Sequence, residues 1–142
     1  SCKLRTLLIF FYKRIIMKLL FELIDIAQMQ NDLMNYNTMI FKVEVGKTID
    51  IDNTKTLRVL LQTMINGGAK KILLDMKGLE YIDSGGIGLL INTAKNIRTK
   101  EGDIVLTNVT PEIKIIFNII SLQDFIKVFN LEVEAVEFFR YL

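Results

Sequence analysis

This 142-residue sequence predicts an α/β fold: one domain with a mixed, mostly parallel sheet of four to five strands and about four helices. Three observations carry that reading. Short apolar runs of strand length alternate with longer stretches of helical periodicity, and helices between consecutive strands imply parallel crossovers and a covered sheet. Hydrophobic residues make up 51% of the chain and charged ones 24%, which suits a single enclosed core at this length. One proline and no low-complexity tract leave no linker and no internal repeat to mark a second unit.

Taken in order, Lys18 to Ala27 reads as a first strand and Thr38 to Val45 as a second, with the polar stretch 28–37 joining them as a loop or hairpin. Asn53 or Thr54 then caps a helix whose apolar positions Leu57, Leu60, Leu61, Met64 and Ile65 fall on one face, and the run Asn66-Gly67-Gly68 stops it. Lys71 to Met76 is nearly all apolar, the mark of a strand buried on both sides. After a turn at 77–82 comes a helix with Ile87, Leu90, Ile91, Ala94 and Ile97 on its apolar face, closed by residues 98–102. Asp103 to Thr107 is another strand. Thr110 caps the next helix with Pro111 at its first position, where a missing N–H costs nothing, and Ile113, Ile116, Phe117 and Ile120 form the buried face. Phe125 to Phe129 fits an edge strand and Leu131 to Phe139 a closing helix.

The N-terminus stands apart from this pattern. The apolar run Leu7 to Tyr12 is flanked by Lys3, Arg5, Lys13 and Arg14. It is too short for a membrane span of about 20 residues or a signal-peptide core of about 7 to 15 followed by small residues. An amphipathic surface anchor is one reading. The plainer one takes Met17 as the natural start, residues 1–16 as an extension outside the fold, and 17–142 as the domain. Residues 1–16 hold four basic and no acidic residues, so without them the net charge of +2 becomes 2 − 4 = −2. No basic patch then argues for direct nucleic-acid binding.

Residue absences narrow the chemistry. Cys2 is the only cysteine, so no internal disulfide or cysteine metal cluster exists, as expected of a reducing, cytoplasmic setting. The chain has no histidine, which removes the commonest general base and zinc ligand. No metal or cofactor is expected.

The stretch with chemical promise is 83-DSGG-86, at the carboxyl end of the Lys71 strand and the start of the next helix, the edge where ligands gather in open α/β sheets. A hydrolase nucleophile needs an imidazole that is missing, and the Gly-x-Ser-x-Gly elbow is unmatched because Ile82 precedes Asp83. A phosphate-cradling loop would need Lys-Ser/Thr where Leu89 and Leu90 stand. Two compatible readings remain. Ser84 is an N-cap, with Asp83 complementing the helix dipole and the glycines allowing close packing. Ser84 is also a phosphoacceptor, whose phosphate would meet free N–H groups while Asp83, and Asp50 or Asp52 if their loop lies alongside, repel it.

The order of elements around 80-EYIDSGGIGLLI-91 and 110-TPEIKIIFNII-120 resembles the STAS domain, most closely the bacterial anti-sigma factor antagonists. Their signature is an apolar strand followed by Asp-Ser-Ser/Thr-Gly-x-Gly opening a helix. A weaker match, 46-GKTIDIDNTKTL-57, puts Asp50 at the family's aspartate, though this segment is one residue longer than is typical. The resemblance covers about residues 18 to 140 and implies helices packed mainly on one face of the sheet. It also implies a non-enzymatic regulator that works by partner switching. Unphosphorylated, it binds an anti-sigma factor that is also a serine protein kinase; phosphorylated on Ser84, it lets go, and a metal-dependent serine phosphatase of the PPM type resets it. Asp83, Gly85, Gly86 and Asp50 would support the switch, with Gly85 standing where the family has a second Ser or Thr. Partner contacts are expected on Ile87 and Leu89, with a place in the core the equal alternative for either and the better reading for Ile87, which shares the helix's apolar face. The alternative is a STAS scaffold that is never phosphorylated, such as the cytoplasmic component of a lipid or anion transporter.

Overall fold

The computed structural model describes residues 20–25 and 39–142; the expected loop at 28–37 and the expected extension 1–16 lie outside them. Five strands form the main sheet: β1 (Leu20–Asp25), β2 (Met39–Glu44), β4 (Lys71–Asp75), β6 (Asp103–Thr107) and β7 (Lys127–Phe129), in the order β1-β2-β4-β6-β7. β1 runs antiparallel to β2, and every later pairing is parallel. The parallel pairs follow from helical crossovers: α1 (Thr54–Asn66), α2 (Ser84–Thr99) and α3 (Pro111–Ile119) each connect one parallel strand to the next. The last helix is α4 (Glu132–Arg140).

Alternation along the strands divides the core in two. Phe41 and Val43 of β2, Ile72 and Leu74 of β4, and Ile104 and Leu106 of β6 face α1, α2 and α3. Ile40, Leu73 and Val105 face the other way and meet Ala135 and Phe139 of α4. Three helices thus cover one face and one covers the other, as expected. The α4 face carries the charged side chains of β2, β4 and β6: Lys42, Glu44, Lys71, Asp75 and Asp103. Asp75 is buried beside Lys42 and Lys77, each with Nζ 3.9 Å from its carboxylate, and accepts a bond of 3.1 Å from Asn108 Nδ2. Burial pushes the Lys71 ammonium below its ordinary pKa.

Two expectations need correction here. Residues 77–82 are not only a turn: Tyr81–Ile82 form a two-residue strand, β5, parallel to another, β3 (Thr48–Ile49). Ile120 is not buried with Ile113 and Phe117. α3 ends at Ile119, so Ile120 lies past the helix's last turn, 39% exposed, and Ser121 then redirects the chain in the left-handed conformation, φ 53°.

Candidate functional site

The β3–β5 ribbon sets the geometry of the site. Lys47 O accepts from the N–H groups of Glu80 and Tyr81 at 2.8 and 3.1 Å, and Ile49 O accepts from Asp83 N at 3.0 Å. These bonds hold the residues before α2 extended, so that Asp83, at φ −96° and ψ 178°, becomes the last non-helical residue. Asp83 Oδ1 accepts from Gly86 N at 2.9 Å, and Asp83 O accepts from Ile87 N at 3.0 Å. The N-cap is therefore Asp83 and not Ser84, a correction of one residue.

That shift changes what Ser84 is. As the first helical residue it is exposed, and its hydroxyl makes no hydrogen bond within the described residues. The N–H groups of Ser84 and Gly85 are likewise without acceptors, as the first turn of a helix leaves them. A free hydroxyl stands at the positive end of a helix of 16 residues, two open N–H donors beside it and a carboxylate immediately before it.

Close packing fixes this turn against its neighbour. A Cβ built on Gly86 would lie 2.7 Å from Ile49 Cγ2, 2.8 Å from Ile82 Cγ1 and 2.9 Å from Ile49 O, so only glycine fits. At Gly85 a Cβ would stand 3.3 Å from Asp83 Oδ1, a contact with a side chain and not with backbone, so this position tolerates the family's Ser or Thr with a small adjustment.

The loop from β3 into α1 adjoins this turn. Asp50 directly follows Ile49, whose carbonyl holds Asp83, so the two aspartates occupy adjoining segments. Asp50 Oδ1 accepts from Asp52 N at 3.0 Å, a local turn that keeps its carboxylate on the loop. The loop's rigidity comes from Asn53, buried and bonded on three sides. Its Oδ1 accepts from Asp50 N at 2.9 Å, and its Nδ2 donates to Thr48 O at 2.8 Å and Thr48 Oγ1 at 3.1 Å. Asn53 sits at the N-cap position of α1, but its side chain caps nothing; it ties the loop to β3 instead. Thr110 behaves alike at α3, donating to Leu79 O at 3.2 Å.

The expected partner contacts fare differently. Ile87 is half-buried and packs against the core. Leu89 is 4% exposed and belongs to the core, where it meets the α1 side of the fold; it offers no surface to a partner. Sequence reasoning missed Asn53 as a loop clamp and passed over Ile51, 86% exposed beside the site. A lone large apolar residue among Asp50, Asp52 and Asn53 was the available signal for Ile51.

Among the described residues no cluster of Asp, Glu or Cys could hold a metal ion, and no helix is long and apolar enough to cross a membrane.

Comparison with known proteins places this arrangement. The Anti-sigma-B factor antagonist of Staphylococcus aureus (strain NCTC 8325 / PS 47) is 27% identical over 88 residues, covering 62% of this chain and 82% of that protein. The fold is similar to that of the anti-sigma factor antagonist SpoIIAA of Bacillus in its unphosphorylated form, with TM-score 0.64 and 18% identity over 87% of this chain and 98% of that one. Its phosphorylated form matches with TM-score 0.57 and 19% identity, over 83% and 97%. The murine anion transporter Solute Carrier 26 family member A9 matches over 96% of this chain but only 24% of its own, with TM-score 0.62 and 18% identity. A family model described as the STAS domain matches residues 34–135, from ahead of β2 into α4, and the chain belongs to that family.

Proposed function

We propose that this protein is an anti-sigma factor antagonist that works by partner switching, with Ser84 as phosphoacceptor. The observation that carries the reading is the division of labour at α2: Asp83 closes the cap, and the adjacent Ser84 hydroxyl stays exposed and unbonded. The S. aureus relative is named for antagonism of an anti-sigma factor, and SpoIIAA is known in both phosphorylated and unphosphorylated forms, which supports the same logic. In this reading the unphosphorylated protein binds an anti-sigma factor that is also a serine kinase. The kinase moves the γ-phosphoryl group of ATP to Ser84: an Oγ–P bond forms, the bond to the β-phosphate oxygen breaks, the hydroxyl proton leaves to a base of the kinase, and ADP departs. The product adds roughly −1.5 to −2 charge beside Asp83 and the Asp50 loop. A PPM-type phosphatase resets the protein by hydrolysis: water attacks phosphorus, the Oγ–P bond breaks, the Ser84 hydroxyl is restored and inorganic phosphate leaves. The chain is a substrate and not an enzyme, acting in the cytoplasm.

The test mixes the protein with candidate kinases from the same genome and ATP, then locates phosphate by mass spectrometry. Label on Ser84, lost in Ser84→Ala, and partner binding lost in Ser84→Asp are the expected results. No label, with both variants binding every candidate as wild type does, would refute the switch. The similarity to a segment of an anion transporter favours a second reading, a STAS unit that is never phosphorylated and docks to a transporter.

A further inference from the structure

Two stripes of side chains face each other where α1 and α2 run side by side. Arg58, Gln62 and Ile65 fall at i, i+4 and i+7 of α1, and Leu89, Asn92 and Asn96 at i, i+3 and i+7 of α2. Between them lies a cleft of about 330 Å³, within the range of roughly 300 to 1,000 Å³ usual for small-molecule sites. Ile65 and Leu89, both buried, make its apolar floor, and the other four residues are polar walls. A seam closed for stability alone would carry apolar side chains on both helices.

The fold uses none of these polar walls. Arg58, Gln62, Asn92 and Asn96 make no side-chain hydrogen bond or ion pair among the described residues. Other polar groups on and beside the same helices do. Thr93 Oγ1 donates to Leu89 O at 2.7 Å, Lys100 Nζ to Asn66 Oδ1 at 3.2 Å, and Arg98 Nε to Asp103 Oδ1 at 3.1 Å.

The charges point the same way. Neither α1 nor α2 contains an aspartate or glutamate. Of their cations, Arg98 is held by Asp103 and Lys95 is turned toward the Phe125 ring, which leaves Arg58 in the cleft and Lys55 one turn before it. Lys100 stands at the far end, beside Asn66. No carboxylate lines the cleft; the nearest along the chain are Asp52 and Asp83, ahead of the two helices, and Glu101 beyond α2.

We infer that the α1–α2 cleft binds a small organic acid. The Arg58 guanidinium takes a carboxylate in its two-pronged fork, and the amides of Gln62, Asn92 and Asn96, each both donor and acceptor, read the hydroxyl or carbonyl groups of the acid. Its carbon skeleton rests on Ile65 and Leu89. The cleft does not include the Ser84 hydroxyl, so this binding stands apart from the partner-switching reading.

Titration of the isotope-labelled full chain with citrate and with 2-oxoglutarate, followed by NMR at the side-chain amides of Gln62, Asn92 and Asn96, tests the site. At least one acid should shift those signals with Kd about 1 mM or tighter, which is what about ten to thirteen nonhydrogen atoms can supply. Arg58→Gln should weaken binding about tenfold or more. Ser84→Ala should bind as wild type does, and so should Lys114→Gln, which removes one exposed cation from α3. Inorganic phosphate at the same ionic strength should leave the amide signals in place. No shift with either acid at about tenfold that concentration would overturn the site, as would binding unchanged in Arg58→Gln. Equal shifts with inorganic phosphate, or equal weakening in Arg58→Gln and Lys114→Gln, would reduce it to diffuse positive charge and sink the inference. Binding lost in Ser84→Ala would overturn its separation from the switch.

Discussion

Helices α1 and α2 start side by side, and they treat the polar groups of their first turns in opposite ways. At α1 nearly everything is satisfied internally: Asn53 bonds Thr48 and Asp50, Thr54 Oγ1 donates to Asp50 O, and Asp50 Oδ1 accepts from Asp52 N. At α2 the single side-chain bond that Asp83 Oδ1 accepts from Gly86 N closes the cap, and the Ser84 hydroxyl adds none. The first start is built to hold a shape. The second leaves a hydroxyl exposed and unbonded at the edge of that shape, with its rigid neighbour supplying the positioning through Ile49.

If so, substitutions should sort by which start they damage. Gly86→Val drives a side chain into Ile49 and Ile82 and breaks the seam between the two starts. Roughly 3 kcal/mol should be lost, read by urea denaturation, with labelling of Ser84 lost even where folded protein remains. Asn53→Ala leaves Asp50 N and the Thr48 carbonyl without their partners in a half-buried setting, and about 1 to 2 kcal/mol should go. Hydrogen exchange should accelerate at Asp50 and then at Asp83, since the loosened loop carries the acceptor for Asp83 N. At α2 itself the two neighbours should separate cleanly. Asp83→Ala removes a cap worth about 1 kcal/mol, whereas Ser84→Ala should change stability by less than about 0.5 kcal/mol. Equal losses at 83 and 84 would mean that the hydroxyl shares the capping after all.

Much of this was legible beforehand. The helix of Leu57, Leu60, Leu61, Met64 and Ile65 and the buried strand at Lys71 follow from spacing alone, because a repeated apolar face leaves many consistent marks. The ribbon of Thr48–Ile49 with Tyr81–Ile82 leaves none, since two residues have no period, yet it decides which residue caps α2. Aspartate and serine are equally good caps, so position 83 against 84 could be settled only by the backbone bond from Asp83 to Ile49, a contact far apart in sequence. Leu89 takes the core alternative for a related reason. α2 packs against α1 as well as the sheet, which widens its buried sector beyond the stripe that contact with one surface would predict. The Asp-Ser-Gly-Gly stretch was recognisable in the sequence, but why its second glycine cannot change appears only when Ile49 comes to rest against it.

The cap at Asp83 has a consequence for the protein's life in the cell. Because the helix is closed by a neighbour of Ser84, occupying that hydroxyl takes no bond away from the native state, and a phosphate there would act on stability only through its charge, drawn by the open N–H groups and repelled by Asp83. A switch at this position would keep its cap in both forms, so the pool could store a signal in the ratio set by the enzymes that write and erase the mark.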